Sequence, residues 1–303
     1  MSMTNSSDQI VASASFSLAS KVKDYFLLIK FTLSFTVVFS CVICYLLAPK
    51  VVSYDWMMIT ILFIAGMLIT GSANAINQAV EKDTDAMMKR TAKRPVASGS
   101  MSQNEAYTFA FIAGVIGIAM MWYFFNLSSA LVSAFSLFLY AFIYTPLKKI
   151  NSIAVLVGAL PGALPCLIGW VAGNDDFAIG GWVLFGIQFL WQFPHFWAIA
   201  WVAHNDYTKA GFKLLPSVTG PTKFTAMQTI MYSVLMIPVG LLPYYFGLTG
   251  ITSVWILIAC NLFMVVQSAR LYKEMDVKAA RRVMFSSYIY LPIVLLALLA
   301  DKN

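Results

Sequence analysis

Apolar runs of membrane-spanning length recur along the whole chain, separated by polar breaks. A helix crossing a bilayer needs about 20 predominantly apolar residues. Nine stretches qualify, near 26–48, 56–78, 105–125, 127–145, 152–173, 179–201, 224–246, 251–269 and 283–300. Gly162, Pro165, Pro238 and Pro243 fall inside these runs. Membrane helices tolerate them because neighbouring helices satisfy the freed backbone groups. The pattern predicts an all-α membrane protein with nine transmembrane helices. Two breaks, 79–103 and 202–223, are long and polar, and each follows the second helix of a four-helix stretch. Residues 1–20 are polar and Ser-rich, with no basic region ahead of a short apolar core, which predicts a flexible cytoplasmic tail rather than a signal peptide. Residues 21–303 then form one transmembrane domain.

Composition supports lipid as the main solvent. The chain is 60% hydrophobic and 11% charged, whereas soluble domains carry about 25% charged residues. The net charge of +7 acquires meaning from its distribution. With the N-terminus in the cytoplasm and nine crossings, all Lys and Arg residues except Lys50 and Lys302 lie on the inner side. That asymmetry predicts N-terminus inside, C-terminus outside. Binding of nucleic acid is excluded as a reading because no soluble basic domain exists. Cys41, Cys44, Cys166 and Cys260 all sit in apolar runs and read as small buried hydrophobes.

One stretch breaks the pattern chemically: NQAVEKDTDAMMKRTAKRP, from Asn77 to Pro95. Asn77, Glu81 and Asp85 are four residues apart. On a helix each such step turns about 40° and rises about 6 Å, so the three share one face. Asp83 points elsewhere, about 200° from Glu81. Aligned oxygen-bearing side chains suit Mg²⁺, above all one that already carries phosphate oxygens. Lys89, Arg90, Lys93 and Arg94 follow directly. Carboxylates for a metal beside clustered cations are the pairing that grips a diphosphate. The bland alternative is a solvated helix end.

The same stretch resembles the N-x-x-x-D/E-x-x-x-D signature of the UbiA-type intramembrane prenyltransferases. DTDAMMKRTAKRP is similar to the branch of that superfamily that farnesylates heme. So are YTPLKKINSIAVLVGALPGALP at 144–165, FLWQFPHFWAIAWVAHNDYTKAGFKLLP at 189–216 and FSSYIYLP at 285–292. The resemblance runs from about residue 25 to 300. It implies nine transmembrane helices around a cavity open to the cytoplasmic side. It also implies Mg²⁺ as cofactor, farnesyl diphosphate and heme b as substrates, and heme o as product for heme-copper oxidase assembly. A bacterial inner membrane and contact with membrane lipid, heme A synthase or oxidase assembly proteins follow from the same likeness. Two departures stand out. Glu81 occupies a position where the superfamily usually has Asp. The loop 202–223 has one carboxylate, Asp206, where the superfamily has two or more.

The resemblance assigns Asn77, Glu81, Asp85 and Asp206 to the metal. It assigns Arg90, Lys93, Arg94, Lys148 and Tyr144 to the diphosphate, although each cation alone also fits an ordinary inner loop. His195 faces the cavity on this reading; it binds heme iron, orients a propionate or hydrogen-bonds within the bundle. Two other functions compete. A related enzyme would prenylate an aromatic quinone precursor, against which the WQFPHFW and DYTKAGFKLLP stretches speak. A cation-coupled transporter would need polar groups in both leaflets, whereas the acids collect at one end.

Overall fold

The computed structural model describes residues 18–217 and 219–303, so most of the expected tail lies outside the described residues; Leu18 to Ser20 already belong to the first helix. The elements are helical, and the one β-contact among the described residues is an isolated bridge between Thr249 and Lys302. In chain order the helices are α1 (Leu18–Leu28), α2 (Phe31–Leu47), α3 (Trp56–Val80), α4 (Lys82–Ala86), α5 (Pro95–Ser98), α6 (Gln103–Phe124) and α7 (Leu127–Phe138). A π-helical turn, Leu139–Tyr144, leads into α8 (Thr145–Leu147). Then come α9 (Ala154–Asn174), α10 (Ile179–Val202), α11 (His204–Lys209), α12 (Lys223–Tyr245), α13 (Ile251–Glu274) and α14 (Val277–Ala300).

Among the described residues eight helical stretches are long and apolar enough to cross a membrane, and the bent pair α1–α2 makes a ninth when counted as one span. The expected first span, 26–48, is therefore not continuous. It bends by 51° between Leu28 and Phe31. Lys30 occupies the bend in the left-handed region, with φ 49° and ψ 57°. For a residue with a Cβ that costs about 1–3 kcal/mol, which surrounding contacts must offset.

α9 is the central post. It packs on α2, α7 and α10, and most of its side chains are buried. Pro165 cannot donate to the Pro161 carbonyl, and Ser136 Oγ on α7 donates to it instead at 3.4 Å. Gly169 lets α2 approach closely: a Cβ there would lie 1.9 Å from the Cys41 carbonyl oxygen. Polar side chains join the other helices, as small hydrogen-bonding groups do in membrane bundles. Tyr290 OH donates to Asn261 Oδ1 at 2.7 Å, and Asn261 Nδ2 donates to the Met236 carbonyl at 3.0 Å. Outward positions carry large apolar residues such as Phe111, Trp122, Trp255 and Phe285, as a lipid-facing surface requires.

The bundle has two unlike ends. At one, Lys302 Nζ donates to the carbonyls of Leu46, Ala48 and Val51 at 2.7–2.9 Å, capping the C-terminus of α2. Lys50 Nζ donates to the Asn174 carbonyl at the same end. The opposite end gathers the loops 79–103 and 202–223, which touch through Arg90 and Tyr207.

Gly169→Ala should therefore lower the thermal unfolding temperature in detergent, because backbone has to move by overpacking worth roughly 1–3 kcal/mol. Gly186→Ala, where a Cβ would meet only a Val239 methyl at 3.6 Å, serves as control and should leave it unchanged. Equal melting of the two variants would show that α2 and α9 are not locked at Gly169.

Candidate functional site

The end of α3 that runs into the loop 79–103 carries the predicted polar face. α3 stops at Val80 and α4 begins at Lys82, with Glu81 between them at φ −94°, ψ 14°. The four-residue spacing nevertheless survives the junction. Glu81 N donates to the Asn77 carbonyl at 2.9 Å, and Asp85 N to the Glu81 carbonyl at 2.7 Å. Asn77, Glu81 and Asp85 are all buried, whereas Asp83 is exposed. Thr91 Oγ1 donates to the Asp85 carbonyl at 2.8 Å and ties the following turn back to α4.

Each buried oxygen-bearing group has a cation. Arg94 Nη1 reaches both oxygens of Asp85 at 2.8 Å. Lys148 Nζ lies 2.9 Å from Glu81 Oε1. Lys30 Nζ donates to Asn77 Oδ1 at 2.8 Å, while Asn77 Nδ2 reaches Thr145 Oγ1 at 3.5 Å. Lys148 and Arg94 balance Glu81 and Asp85 in formal charge, and Lys30 adds a third nitrogen donor to the same cluster. Clustered donors of this kind suit a ligand with several anionic oxygens.

Lys30 is the site residue that the sequence reading missed. Its signal was a lone cation inside an apolar run, where an ionisable group is costly and usually functional. The bend between α1 and α2 aims it at Asn77. The π-helical turn does similar work for Tyr144 and Lys148. Pro146 has no N–H to continue the regular ladder, and the Tyr140 carbonyl accepts from the Thr145 N–H and, at 2.8 Å, from Thr145 Oγ1. Tyr144 then packs against Gly158, where a Cβ would come within 2.5 Å of the ring. Lys148 Nζ sits 4.7 Å from the centre of that ring.

The second polar loop reaches the cluster at its edge. Arg90 Nη2 donates to Tyr207 OH at 2.9 Å, with its guanidinium 5.5 Å from the ring centre. Lys213 N donates to the Lys148 carbonyl at 2.8 Å. Met88 packs with Ala210 and Phe212 beneath. Asp206 is half-buried on α11 and makes no hydrogen bond or ion pair with the Asn77–Glu81–Asp85 set among the described residues. Lys93 is exposed and likewise unconnected to it. No three His, Cys, Asp or Glu side chains converge among the described residues.

Directly inward from the cluster lies a mostly apolar cavity of about 260 Å³. Asn74 and Tyr144 belong to its wall at the polar end; Trp191, His195, Phe196 and Tyr288 line another side. His195 Nδ1 is 2.8 Å from Ser287 Oγ, and its ring stacks on Trp191 with centroids 4.7 Å apart. The donor-rich cluster thus adjoins an apolar chamber: Asn74 is one turn before Asn77 on α3, and Tyr144 is the ring beside Lys148. Hard oxygen donors on Asn77, Glu81 and Asp85 fit Mg²⁺ by type, and each is now held by a cation that an anionic ligand could take over.

Comparison with known proteins gives a consistent result. A model of the UbiA prenyltransferase family matches residues 37–289. The protoheme IX farnesyltransferase of Cytophaga hutchinsonii is 45% identical over 285 residues, covering 94% of this chain and 99% of that protein. Its namesake in Flavobacterium johnsoniae is 41% identical over 293 residues, covering 94% and 96%. Among solved structures, one of digeranylgeranylglyceryl phosphate synthase superposes with a TM-score of 0.77 at 22% identity, covering 93% of this chain and 98% of that one. A UbiA homolog from Archaeoglobus fulgidus bound to GPP and Mg²⁺ superposes with 0.66 at 13% identity, covering 91% and 99%.

The burial contrast makes a stability prediction. Asp85→Ala strands the Arg94 guanidinium and should cost about 3 kcal/mol, the low end for a broken buried pair because Arg94 is partly exposed. Asp83→Ala should stay within about 0.5 kcal/mol of the parent. Thermal unfolding in detergent measures both; a destabilised Asp83→Ala would place Asp83 in the cluster.

Proposed function

The chain belongs to the UbiA prenyltransferase family, and within that family we propose that it transfers the farnesyl group of farnesyl diphosphate to a vinyl group of protoheme IX. Water completes the product, a hydroxyethylfarnesyl heme. The observation that carries this reading is that the charged cluster adjoins the apolar cavity, whose wall includes Asn74 and the Tyr144 ring beside Lys148. One ligand with an anionic head and a long hydrocarbon tail matches both parts. The heme acceptor rests on the relatives named protoheme IX farnesyltransferase.

Asn77, Glu81 and Asp85 hold the metal through their oxygens, and Asp206 approaches from the facing loop when the ligand is bound. Bound Mg²⁺ supplies neutralisation of the negative charge that builds on the departing diphosphate. Lys30, Lys148 and Arg94 turn from their present partners to the diphosphate oxygens, with Arg90 and Lys93 at the rim and the Tyr144 hydroxyl donating from the cavity side. These are charge-assisted contacts aimed at charge that grows in the transition state. The vinyl group is the electron-rich partner, so no protein nucleophile takes part. The apolar walls keep bulk water from the allylic cation until the vinyl carbon attacks. His195 contacts the heme.

Membranes containing the protein, given Mg²⁺, farnesyl diphosphate and heme b, should yield a heme heavier by one farnesyl and one hydroxyl group, and chelation of the metal should stop the reaction. Glu81→Gln, Asp85→Asn and Asn77→Ala should each lower turnover by about 10²-fold or more, while Asp83→Ala should change it little. Mass spectrometry of extracted hemes decides. An unmodified heme beside a prenylated aromatic acid would overturn the acceptor and keep the family.

We further propose a bacterial inner-membrane orientation that puts the charged cluster on the cytoplasmic side, following the distribution of Lys and Arg. An impermeant thiol reagent applied to intact spheroplasts should label a Cys introduced at exposed Asp175 and spare one at exposed Ser98. The native cysteines are buried or half-buried. The inverse labelling pattern would reverse the orientation.

A further inference from the structure

Hydration of the product needs a water molecule held in an otherwise apolar chamber, and a place for its proton. Two acceptors on one face of α10 meet both needs. Ser287 Oγ donates its only hydrogen to the Met284 carbonyl at 2.6 Å. In its 2.8 Å contact with His195 Nδ1 the serine oxygen must therefore accept. That fixes the imidazole with its hydrogen on Nδ1 and a lone pair on Nε2. Trp191 reinforces the pose: its Nε1 donates to the Ser287 carbonyl at 2.9 Å and its ring stacks on the imidazole. His195 Nε2 has no hydrogen-bond partner among the described residues.

Gln192 lies three residues earlier, on the same helical face. Its Nε2 donates to the carbonyls of Ala159 at 2.9 Å and Gln188 at 3.2 Å, which uses both amide hydrogens. The amide is thereby oriented, and Oε1 is left as an acceptor beside Gly162, where a Cβ would stand only 1.9 Å away. Gln192 is buried, lines the cavity with His195, and its Oε1 has no donor among the described residues. Two acceptors that line one cavity, each without a donor, suit a water that gives one hydrogen to each. Such a water turns its lone pairs away from α10 and into the chamber.

We propose that Gln192 Oε1 and His195 Nε2 hold the water that is added to the heme side chain, and that His195 Nε2 takes its proton. This rests on the proposed farnesyl transfer to a heme vinyl group. The terminal vinyl carbon forms a bond to farnesyl C1 as the C1–O bond breaks and its electron pair leaves with diphosphate. The inner vinyl carbon is left cationic. The water oxygen forms a bond to that carbon, and its proton passes to His195 Nε2 while the O–H pair stays on oxygen. The imidazolium returns the proton to solvent when product leaves. A general base of this kind contributes about 10²–10⁴-fold. Without it the same cation loses a proton to form an alkene.

The test compares products rather than rates alone. His195→Asn keeps an N–H for Ser287 and removes the Nε2 lone pair; Gln192→Met keeps the volume and removes the acceptor. Purified wild-type protein, with Mg²⁺, farnesyl diphosphate and heme b, should give the hydrated heme. Both variants should still release diphosphate, but their product should shift to farnesylated heme lacking one water, with hydration reduced by roughly 10²-fold in His195→Asn. The absorption spectrum of heme b bound without farnesyl diphosphate should be the same in wild type and variants. Hydrated product from both variants at the wild-type rate overturns the proposal. So does a heme spectrum in His195→Asn that reports a lost iron ligand, or folded variants that release no diphosphate. If His195→Asn fails to fold, Gln192→Met decides alone. A wild type that makes no farnesylated heme removes the proposed function, and this inference falls with it.

Discussion

Charges buried at the end of an apolar bundle must be neutralised by their own neighbours before any ligand arrives. Lone carboxylates at that depth would carry a desolvation cost of several kcal/mol each. Here Lys148 answers Glu81 and Arg94 answers Asp85, while Lys30 sits on Asn77. Much of the local irregularity of the chain serves that requirement. The left-handed bend at Lys30, the π-helical turn before Lys148 and the break at Glu81 each deliver one member of the cluster. Three departures from regular helix therefore serve a single cluster at one end of the bundle. The same pairing keeps the residues near a ligand-ready geometry, since each cation needs only a change of partner.

The helices themselves were readable from the apolar runs, because a membrane span must satisfy its backbone internally and so leaves a long, uninterrupted signature. The face shared by Asn77, Glu81 and Asp85 was equally readable, since a four-residue spacing survives even the helix break at Glu81. What escaped was everything set by backbone departures from regularity. Lys30 looked like one more inner-side cation because nothing in the composition of Phe26 to Thr32 announces a 51° bend. The partners of Lys148 and Arg94 also escaped, since pairing across sequence separations of 67 and nine residues is decided by packing. Asp206 shows the converse limit: a motif position can be named from the chain, yet its side chain stands apart from the others here.

The contrast between the two ends bears on the kind of protein this is. Ionisable groups concentrate at the loop end, and the inward cavity is walled by apolar and aromatic side chains with a few oriented amides. A path for ions would need polar stations through the far half as well. Instead the polar atoms that do face the cavity are individually oriented: Gln188 donates to the Gly162 carbonyl and accepts from Cys166, and Ser136 is held on Pro161. A largely apolar chamber with few, fixed polar atoms favours chemistry on reactive intermediates over conduction.

The clasp of Lys302 on α2 has an implication for assembly. The carbonyls of Leu46, Ala48 and Val51 are emplaced early in synthesis, yet their common donor is added 256 residues after Leu46. The Ala48 carbonyl keeps the Val51 N–H at 3.0 Å, but until then water at the membrane surface has to solvate those of Leu46 and Val51, so this corner of the bundle stays wet while the other helices insert. Closing it is a contact of very long sequence separation, the slowest class to form. The order of biogenesis is thus opposite to the order of burial: the first long helix is among the last elements to be sealed.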